Sequence, residues 1–536
     1  MPGGGFPWAF FLRTGSVPDY EEREKMTGFT EEMKRTYSVC PVCLKRIPAV
    51  REQREDGIYL IKSCPEHGDF STVIWRNKTD FGTWRGIRPS VGENENLNCP
   101  TGCGICADHL RATCCTLLEI TKRCNMNCTF CFAEPDGAKD PSAGTVKAWI
   151  DDLVVPGKTL LQLSGGEPTV RDDLPEIIAY AKQAGCKYVQ LNSNGLRLAE
   201  DEAFVKKLSE AGLSFVFMQF DGVTDEVYEK LRRRPMLEVK KKAIENCGRY
   251  GIGVTLVPVI VPGVNTDQIG DMIRFAVERS PKVRGVHFQP VSYFGRIPEL
   301  PKDEDRFTLD ELMAAVVEQT GGLVQMENIA PSCCDHPMCG FHGDFIVMPG
   351  RKLYALTHYK GTEPAAVSGC CCGTEAEDKV TPAEKNREFV GRRWERRAEE
   401  PEAVSGCCCG EAGAEPNCCC EEAGAEPNCC CEETEPERNC CCGAAEPESG
   451  CCCEEAELEE PCCCGEAEPE EEVDMTDMES FLRRARSHGF TITSMTFQDA
   501  GNLDIERLRQ CSLHVYKDGK IIPFCAYYLS PMGQQK

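Results

Sequence analysis

An α/β fold is expected, a partial (β/α)6 TIM-like barrel with an N-terminal metal ribbon and a long disordered Cys-rich insert. Three observations carry this. Apolar β-like runs alternate with helical periods from Cys115 to Pro290. Two Cys knuckles flank a strand-like run ahead of them, and between Thr362 and Glu472 the composition changes to Glu, Gly, Pro and Cys triplets.

Length and charge narrow the function classes. At 536 residues the chain exceeds one ordinary domain. Net charge is -26, which argues against nucleic acid or an anionic membrane surface as partner. That charge is concentrated: residues 401–472 hold 22 Glu against one Arg. The N-terminus lacks the basic region of a signal peptide, and no stretch reaches the eighteen or so apolar residues of a transmembrane segment. The 39 Cys fall at metal-ligand spacings, so the expected setting is cytoplasmic, a reducing one.

Taken in order, residues 1–36 read as a tail and 37–98 as a metal module. Cys40-Pro-Val-Cys43 and Cys64-Pro-Glu-His67, separated by the strand-like Ile58–Ile61, present four soft ligands to one tetrahedral ion, Zn or a rubredoxin-like Fe. Four protein ligands leave no open position, so this site is structural. Residues 99–114 carry Cys99, Cys103 and Cys106, read as an auxiliary [4Fe-4S] cluster whose fourth ligand comes from elsewhere. One of Cys114 and Cys115 is expected to be a buried structural thiol.

The barrel is placed over 115–300. Its strands are drawn at Thr116–Thr121, Thr159–Leu163, Lys187–Leu191, Ser214–Phe220, Ile252–Ile260 and Arg284–Gln289. Helical faces follow from apolar residues at i, i+3, i+4 and i+7, as at Leu174, Ile177, Ile178, Ala181 and at Ile269, Met272, Ile273, Ala276. Chemistry in such folds sits at the C-terminal ends of the strands. The first strand runs into Cys124-Asn-Met-Asn-Cys128-Thr-Phe130-Cys131, whose three thiolates can hold three irons of a [4Fe-4S] cube and leave the fourth open. The second ends in Gly165-Gly166-Glu167, where two glycines let backbone approach a ligand and the carboxylate can pair with an ammonium. Asn194 and Asp221 end the next two strands, either as ligand-binding groups or as strand-to-helix caps. Beyond the fifth strand lies Asn265, and the sixth carries His287 and Gln289.

Residues 301–360 hold Cys333, Cys334, His336, Cys339 and His342, too dense in soft ligands for core alone; Cys334 and Cys339 are favoured to complete an auxiliary cluster. Residues 473–536 end in a hairpin turned at Asp518-Gly519. Counting back from that turn puts Cys511 and Cys525 on adjacent rungs, as a ligand pair or as buried thiols. Cys186 and Cys247 read as core. The insert, 361–472, holds triplets starting at Cys370 and, with an 11-residue period, at Cys407, Cys418, Cys429, Cys440, Cys451 and Cys462. Pro and Gly in most repeats exclude a continuous helix, and almost no aliphatic side chains are present to offset ordering entropy. Its readings are soft-metal storage, a redox tail, a substrate for modification in cis and a neutrally expanding repeat.

Residues 36–345 and 505–530 resemble one branch of the radical SAM superfamily, on the Cys-Pro-x-Cys ribbon, the Cys-Pro-x-Gly-Cys-Gly-x-Cys loop, the Cys-Asn-x-x-Cys core and the Pro-Phe-Cys-Ala hairpin. The branch includes tetraether-lipid synthases, class D radical SAM methylases and TrsS proteins. The resemblance implies S-adenosylmethionine (SAM) as cofactor, cleaved at the Cys124/Cys128/Cys131 cluster to a 5′-deoxyadenosyl radical for C–H activation, with C–C bond formation or methylation to follow. It assigns Phe130, Gly165, Gly166, Glu167, Asn194 and Asp221 to the SAM site. It implies a ferredoxin- or flavodoxin-type reductant and a lipid, pterin or peptide substrate. A non-catalytic metal or redox protein is the alternative.

Overall fold

The computed structural model of the chain describes residues 35–84, 99–100, 104, 108–133, 138–297, 301–360, 382–395 and 477–532. The expected tail, the triplet insert, Cys103 and Cys106 lie outside the described residues.

Four antiparallel strands in sequential order, β1 (Arg35–Val39), β2 (Arg46–Gln53), β3 (Ile58–Cys64) and β4 (Gly68–Trp75), build the ribbon. It docks through buried polar contacts. The Arg51 guanidinium, 4% exposed, forms paired bonds of 2.6 and 2.8 Å to Asp504, and Lys62 donates to the Ala500 carbonyl at 2.7 Å.

The six barrel strands appear within about two residues of the expected bounds: β5 (Cys115–Thr121), β6 (Leu160–Gly165), β7 (Tyr188–Ser193), β8 (Phe215–Gln219), β9 (Gly253–Val257) with the short β10 (Val259–Ile260), and β11 (Val283–Pro290). Those six neighbours pair in parallel. Helices α1 (Ala143–Leu153), α2 (Leu174–Gln183), α3 (Leu196–Glu200), α4 (Glu202–Glu210), α5 (Asp225–Arg232), α6 (Leu237–Arg249) and α7 (Ile269–Glu278) connect them. The expected apolar stripes are the buried faces: Leu174, Ile177, Ile178 and Ala181 on α2, and Ile269, Met272, Ile273 and Ala276 on α7. Cys186 and Cys247 lie in the same core.

The sheet is wider than six strands. After α8 (Leu309–Gln319) come β12 (Ala330–Pro331), β13 (Phe341–Met348) and β14 (Lys352–Ala355), then α9 (Pro382–Trp394) and α10 (Met478–Ser487). Next, β15 (Gly489–Ser494) adds in parallel to β11, and beyond α11 (Ile505–Arg509), β16 (Leu513–Lys517) adds in parallel to β5. The C-terminal segment therefore flanks both edges of the six-stranded core. Strand β16 turns at Asp518-Gly519, both at positive φ, into β17 (Lys520–Pro523). Pairing stops at His514–Pro523, because Phe524–Tyr527 form the helical turn α12; Cys511 and Cys525 are thus not ladder neighbours.

Helix α9 packs across the N-terminal end of the barrel. Trp394 stands edge-on to Phe215 at 5.5 Å and to Phe217 at 4.6 Å, and its indole donates to Thr491 Oγ1 at 2.9 Å. The barrel lumen is thereby floored by a helix from outside the β/α repeats.

Candidate active site at the C-terminal mouth of the barrel

The loop leaving β5 is seated on the end of β6, and two glycines make this possible. A Cβ on Gly165 would lie 2.2 Å from the Thr121 carbonyl oxygen, and one on Gly166 would lie 2.1 Å from that of Arg123. With no side chain there, Gly166 N–H donates to Thr121 O and Glu167 N–H to Arg123 O, each at 2.9 Å. Gly165 also takes φ +123°, which side-chain-bearing residues rarely adopt. The far side of the loop is tied down by Thr129 N–H to Leu231 O at 2.9 Å and by reciprocal bonds between Cys131 and Arg296.

This holds Cys124, Cys128 and Cys131 together at the mouth. Burial first, then the Glu167 carboxylate and the other two thiols, push the Cys124 thiol up to about 11. Among the described residues only the ribbon set brings three or more ligand atoms within 4.8 Å of one another.

Glu167 is 2% exposed and accepts four bonds: Thr169 N–H and Oγ1 and Ser193 Oγ on Oε1, Asn194 N–H on Oε2. It staples the ends of β6 and β7, and Oε2 keeps one acceptor position. Asn194 spends its side chain on the Leu196 N–H and on Asn125. Asp221, fully buried, gives both oxygens to Arg232 at 2.7 and 2.8 Å and also accepts from Gln219 and Val259 N–H. Asn265 is likewise spent, on Val261 N–H, Asp221 O and Val259 O. Asp221 therefore reaches the site through Arg232, whose guanidinium lies close enough to Cys128 for their charges to interact. Burial opposes the charge on Arg232, but Asp221 and Cys128 outweigh it and hold the group above its usual range. Lys240, fully buried, donates to Asn194 O at 2.5 Å and is lowered to about 7 by burial. Phe130 meets Tyr293 edge-on at 6.2 Å. Inside the mouth, Glu119 accepts from Tyr527, Tyr528 and Lys122 at 2.7–2.8 Å.

Arg232, Lys240, Glu119 and the tyrosine pair carried no sequence signal. Arg232 lies in Leu-Arg-Arg-Arg, indistinguishable from a solvated basic run until α5 is seen to bury its first arginine.

The ribbon ligands converge. Cys40, Cys43, Cys64 and His67 place their ligand atoms within 4.8 Å of one another, with Cys40 and Cys64 Sγ at 3.6 and 3.5 Å from His67 Nδ1. Tetrahedral zinc with its usual bond lengths needs S···N of about 3.6 Å.

The remaining thiols fall into two sets, with Cys334 in one and Cys339 in the other. Cys334 lies beside Cys114 and Cys333, which hold it well below the usual thiol range; Asn386 reaches Cys114 at 3.3 Å and Cys333 at 3.6 Å. Cys339 instead neighbours Cys511 and Cys525, with Arg507 at 3.7 Å, and Cys99 packs in the apolar cluster of Cys525. Asp335 stands between them, accepting from Cys334 Sγ and from Ser512. Beside Cys339, the buried Arg507 Nε and Thr496 Oγ1 have no partner among the described residues, nor has the amide of Gln510 next to Cys511 in the chain. Burial raises Cys511 well above the usual thiol range and Cys525 to about 12. A bound metal reverses such a cost by holding thiolates.

Residues 118–276 match the radical SAM superfamily, and residues 32–76 match the HMPTM N-terminal zinc ribbon domain. A probable GTP 3′,8-cyclase of Methanococcus maripaludis is 30% identical over 215 residues, covering 39% of this chain and 70% of that protein. The chain belongs to the radical SAM superfamily. Membership implies a [4Fe-4S] cluster and SAM. This radical SAM chain is also 40% identical over 309 residues to the 7,8-dihydro-6-hydroxymethylpterin dimethyltransferase of Methanocaldococcus jannaschii, covering 56% of this chain and 61% of that protein. It is 33% identical over 203 residues to the Fe-coproporphyrin III synthase of Methanosarcina barkeri, covering 37% and 48%. The chain thus spans about half to three fifths of the length of these two relatives. Among solved structures, SuiB of Streptococcus suis bound to SAM overlays loosely, with a TM-score of 0.30 at 14% identity over 37% of this chain and 44% of that one. Among the described residues no helix is long and apolar enough to cross a membrane.

Proposed function

We propose that the protein is a radical SAM methylase acting on carbon, with a reduced, pterin-like ring as substrate class, and that Cys124, Cys128 and Cys131 hold the SAM-binding cluster. The observation that carries the cluster assignment is the glycine pair: Gly165 and Gly166 admit the loop carbonyls of Thr121 and Arg123 at distances that any side chain forbids. The ring comes from the dimethyltransferase relative, 40% identical over 309 residues. Cys124, Cys128 and Cys131 would hold the cluster, which would supply the single electron for reductive cleavage of SAM and hence a radical able to take a hydrogen atom from carbon.

The chain's own residues set the conditions. The spare position on Glu167 Oε2 takes the SAM ammonium, a charge-assisted bond inside a buried site. Arg232, fixed by Asp221, holds a positive charge beside the Cys128 thiolate and stabilises it. Phe130 and Tyr293 cover the loop and limit water. Ribbon ligands Cys40, Cys43, Cys64 and His67 take zinc, whose preference for a mixed N/S set favours it over iron. Auxiliary clusters use the sets around Cys334 and Cys339, the latter joined by Cys511 and Cys525, with Cys99, Cys103 and Cys106 as the remaining pool. A ferredoxin- or flavodoxin-type protein supplies the electron.

Anaerobically reconstituted, reduced protein tests this by electron paramagnetic resonance. SAM is expected to change the signal of a [4Fe-4S] centre that Cys128→Ala removes, and Glu167→Ala is expected to weaken SAM binding about tenfold or more. A spectrum indifferent to SAM contradicts the reading.

A further inference from the structure

The lower half of the lumen, between the mouth and the α9 floor, contains a cavity of about 810 Å3 that is large enough to extend from the barrel strands to Cys114, Cys333 and Cys334, the thiol set given above to an auxiliary cluster, which bounds one end of it. One wall is aromatic. Phe217 and the His287 ring lie 5.4 Å apart at 36°, and Trp394 stands edge-on to both, at 4.6 and 6.4 Å. Flat ring systems favour such offset and edge contacts.

The neighbouring strands β6 and β7 carry two amides at one level. Gln162 on β6 and Gln190 on β7 are register partners, so their side chains project together into the lumen, and both line the cavity. Their partners fix which amide end each presents. Gln162 Oε1 accepts from the Cys115 thiol at 3.3 Å, which leaves Nε2 as a donor with no partner among the described residues. Gln190 Nε2 donates to Asn192 Oδ1 at 3.0 Å, and Asn192 in turn donates to Ser164, which leaves Gln190 Oε1 as an acceptor. Gln190 is 2% exposed and lines the cavity, so a ligand there can meet its free acceptor. One neighbouring donor and one neighbouring acceptor match the C=O and N–H of a cyclic amide. His287, which lines the cavity, is oriented by its Nδ1 contact with Thr493 Oγ1 at 2.8 Å. Asp344, also in the wall, pairs through Oδ2 with Arg393 at 2.8 Å, while its Oδ1 has no partner among the described residues.

We propose that Gln162 and Gln190 are the specificity-determining pair of the lumen, reading the lactam edge of a planar, uncharged nitrogen heterocycle packed against Phe217, His287 and Trp394. This rests on the ring-methylation reading above and names the residues that would recognise the ring. A lipid chain would leave both amides unpaired. A peptide offers the same C=O and N–H but no flat face for the aromatic wall.

The test is fluorescence-monitored binding to the full-length, anaerobically reconstituted protein, with 6-hydroxymethylpterin against 6-hydroxymethyl-2,4-diaminopteridine. The second probe keeps the ring but replaces the lactam by an aminopyrimidine, reversing donor and acceptor. The wild type is expected to prefer the lactam ring by about 10- to 100-fold, the range for a mismatched buried hydrogen-bonding edge. Gln162→Leu and Gln190→Leu are each expected to lose most of that preference. Equal binding of the two rings by the wild type, no saturable binding of either, or preference retained in both variants overturns the proposal. The wild-type comparison needs no variant to fold. SAM cleavage without ring discrimination sinks this inference alone, whereas ring discrimination without SAM cleavage sinks the enzymatic reading instead.

Discussion

Gly166→Ala probes the junction on which the site depends. The new Cβ would lie 2.1 Å from Arg123 O and 2.7 Å from Arg123 C, whereas ordinary contact begins at 3.4 Å. The loop or the end of β6 must therefore move by about 1.3 Å, and the neighbour is backbone, which cannot swing aside as a flexible side chain does. Overpacking of this kind costs about 1–3 kcal/mol. The Glu167 N–H bond to Arg123 O is lost with it, about 1 kcal/mol more. A displacement near 1 Å at a reacting centre costs about 100-fold in rate. The assay pairs iron and sulfide content of the reconstituted variant with its rate of 5′-deoxyadenosine formation. Reduced cluster loading, or a rate down by about 100-fold at normal loading, is expected. Wild-type loading together with a wild-type rate would refute the role given to the glycine pair.

Three further outcomes follow from other parts of the molecule. Asp221→Asn leaves Arg232 charged and buried without its partner, so a loss of about 3–5 kcal/mol is expected in denaturant unfolding; an unchanged midpoint would show that Arg232 does not depend on Asp221. His67→Ala is expected to lower zinc content by one ion per chain and to lower the unfolding temperature, because structural zinc contributes folding energy; unchanged metal content would contradict the ribbon assignment. His514 is lowered to about 3, first by burial and then by His109. A depressed folded value means the unfolded chain takes the proton first as pH falls, so stability present above about pH 6.5 is lost below it, by about 2 kcal/mol between pH 6.5 and 5. His514→Phe should flatten that part of the pH profile, and an unaltered slope would exclude His514 as its source.

The barrel was legible because its signals are local. Each strand is a short apolar run and each helix an i, i+3, i+4 stripe, and Leu174 or Ile269 sits where that period requires. The cysteine loop and Gly-Gly-Glu were legible for the same reason: each lies at the end of one recognisable strand. What stayed hidden depends on partners far apart in the chain. Phe490 and Ile492 alternate with threonines like many short strands, and nothing nearby says that β15 pairs with β11, some 200 residues earlier. The thiol sets mix Cys114 with Cys334, and Cys339 with Cys525, so spacing alone paired Cys334 with Cys339. Asp221 ends a strand as a cap would, and its bond to Arg232 emerges only when α5 turns that arginine inward. Gln162 and Gln190 read as ordinary strand residues until register sets them side by side.

The most direct test of the central claim is chemical. Full-length protein, reconstituted anaerobically and supplied with dithionite and SAM, is predicted to release 5′-deoxyadenosine and methionine in equal amounts, and the Cys128→Ala protein to release neither. No 5′-deoxyadenosine from a wild-type protein with a full complement of iron and sulfide would contradict the account.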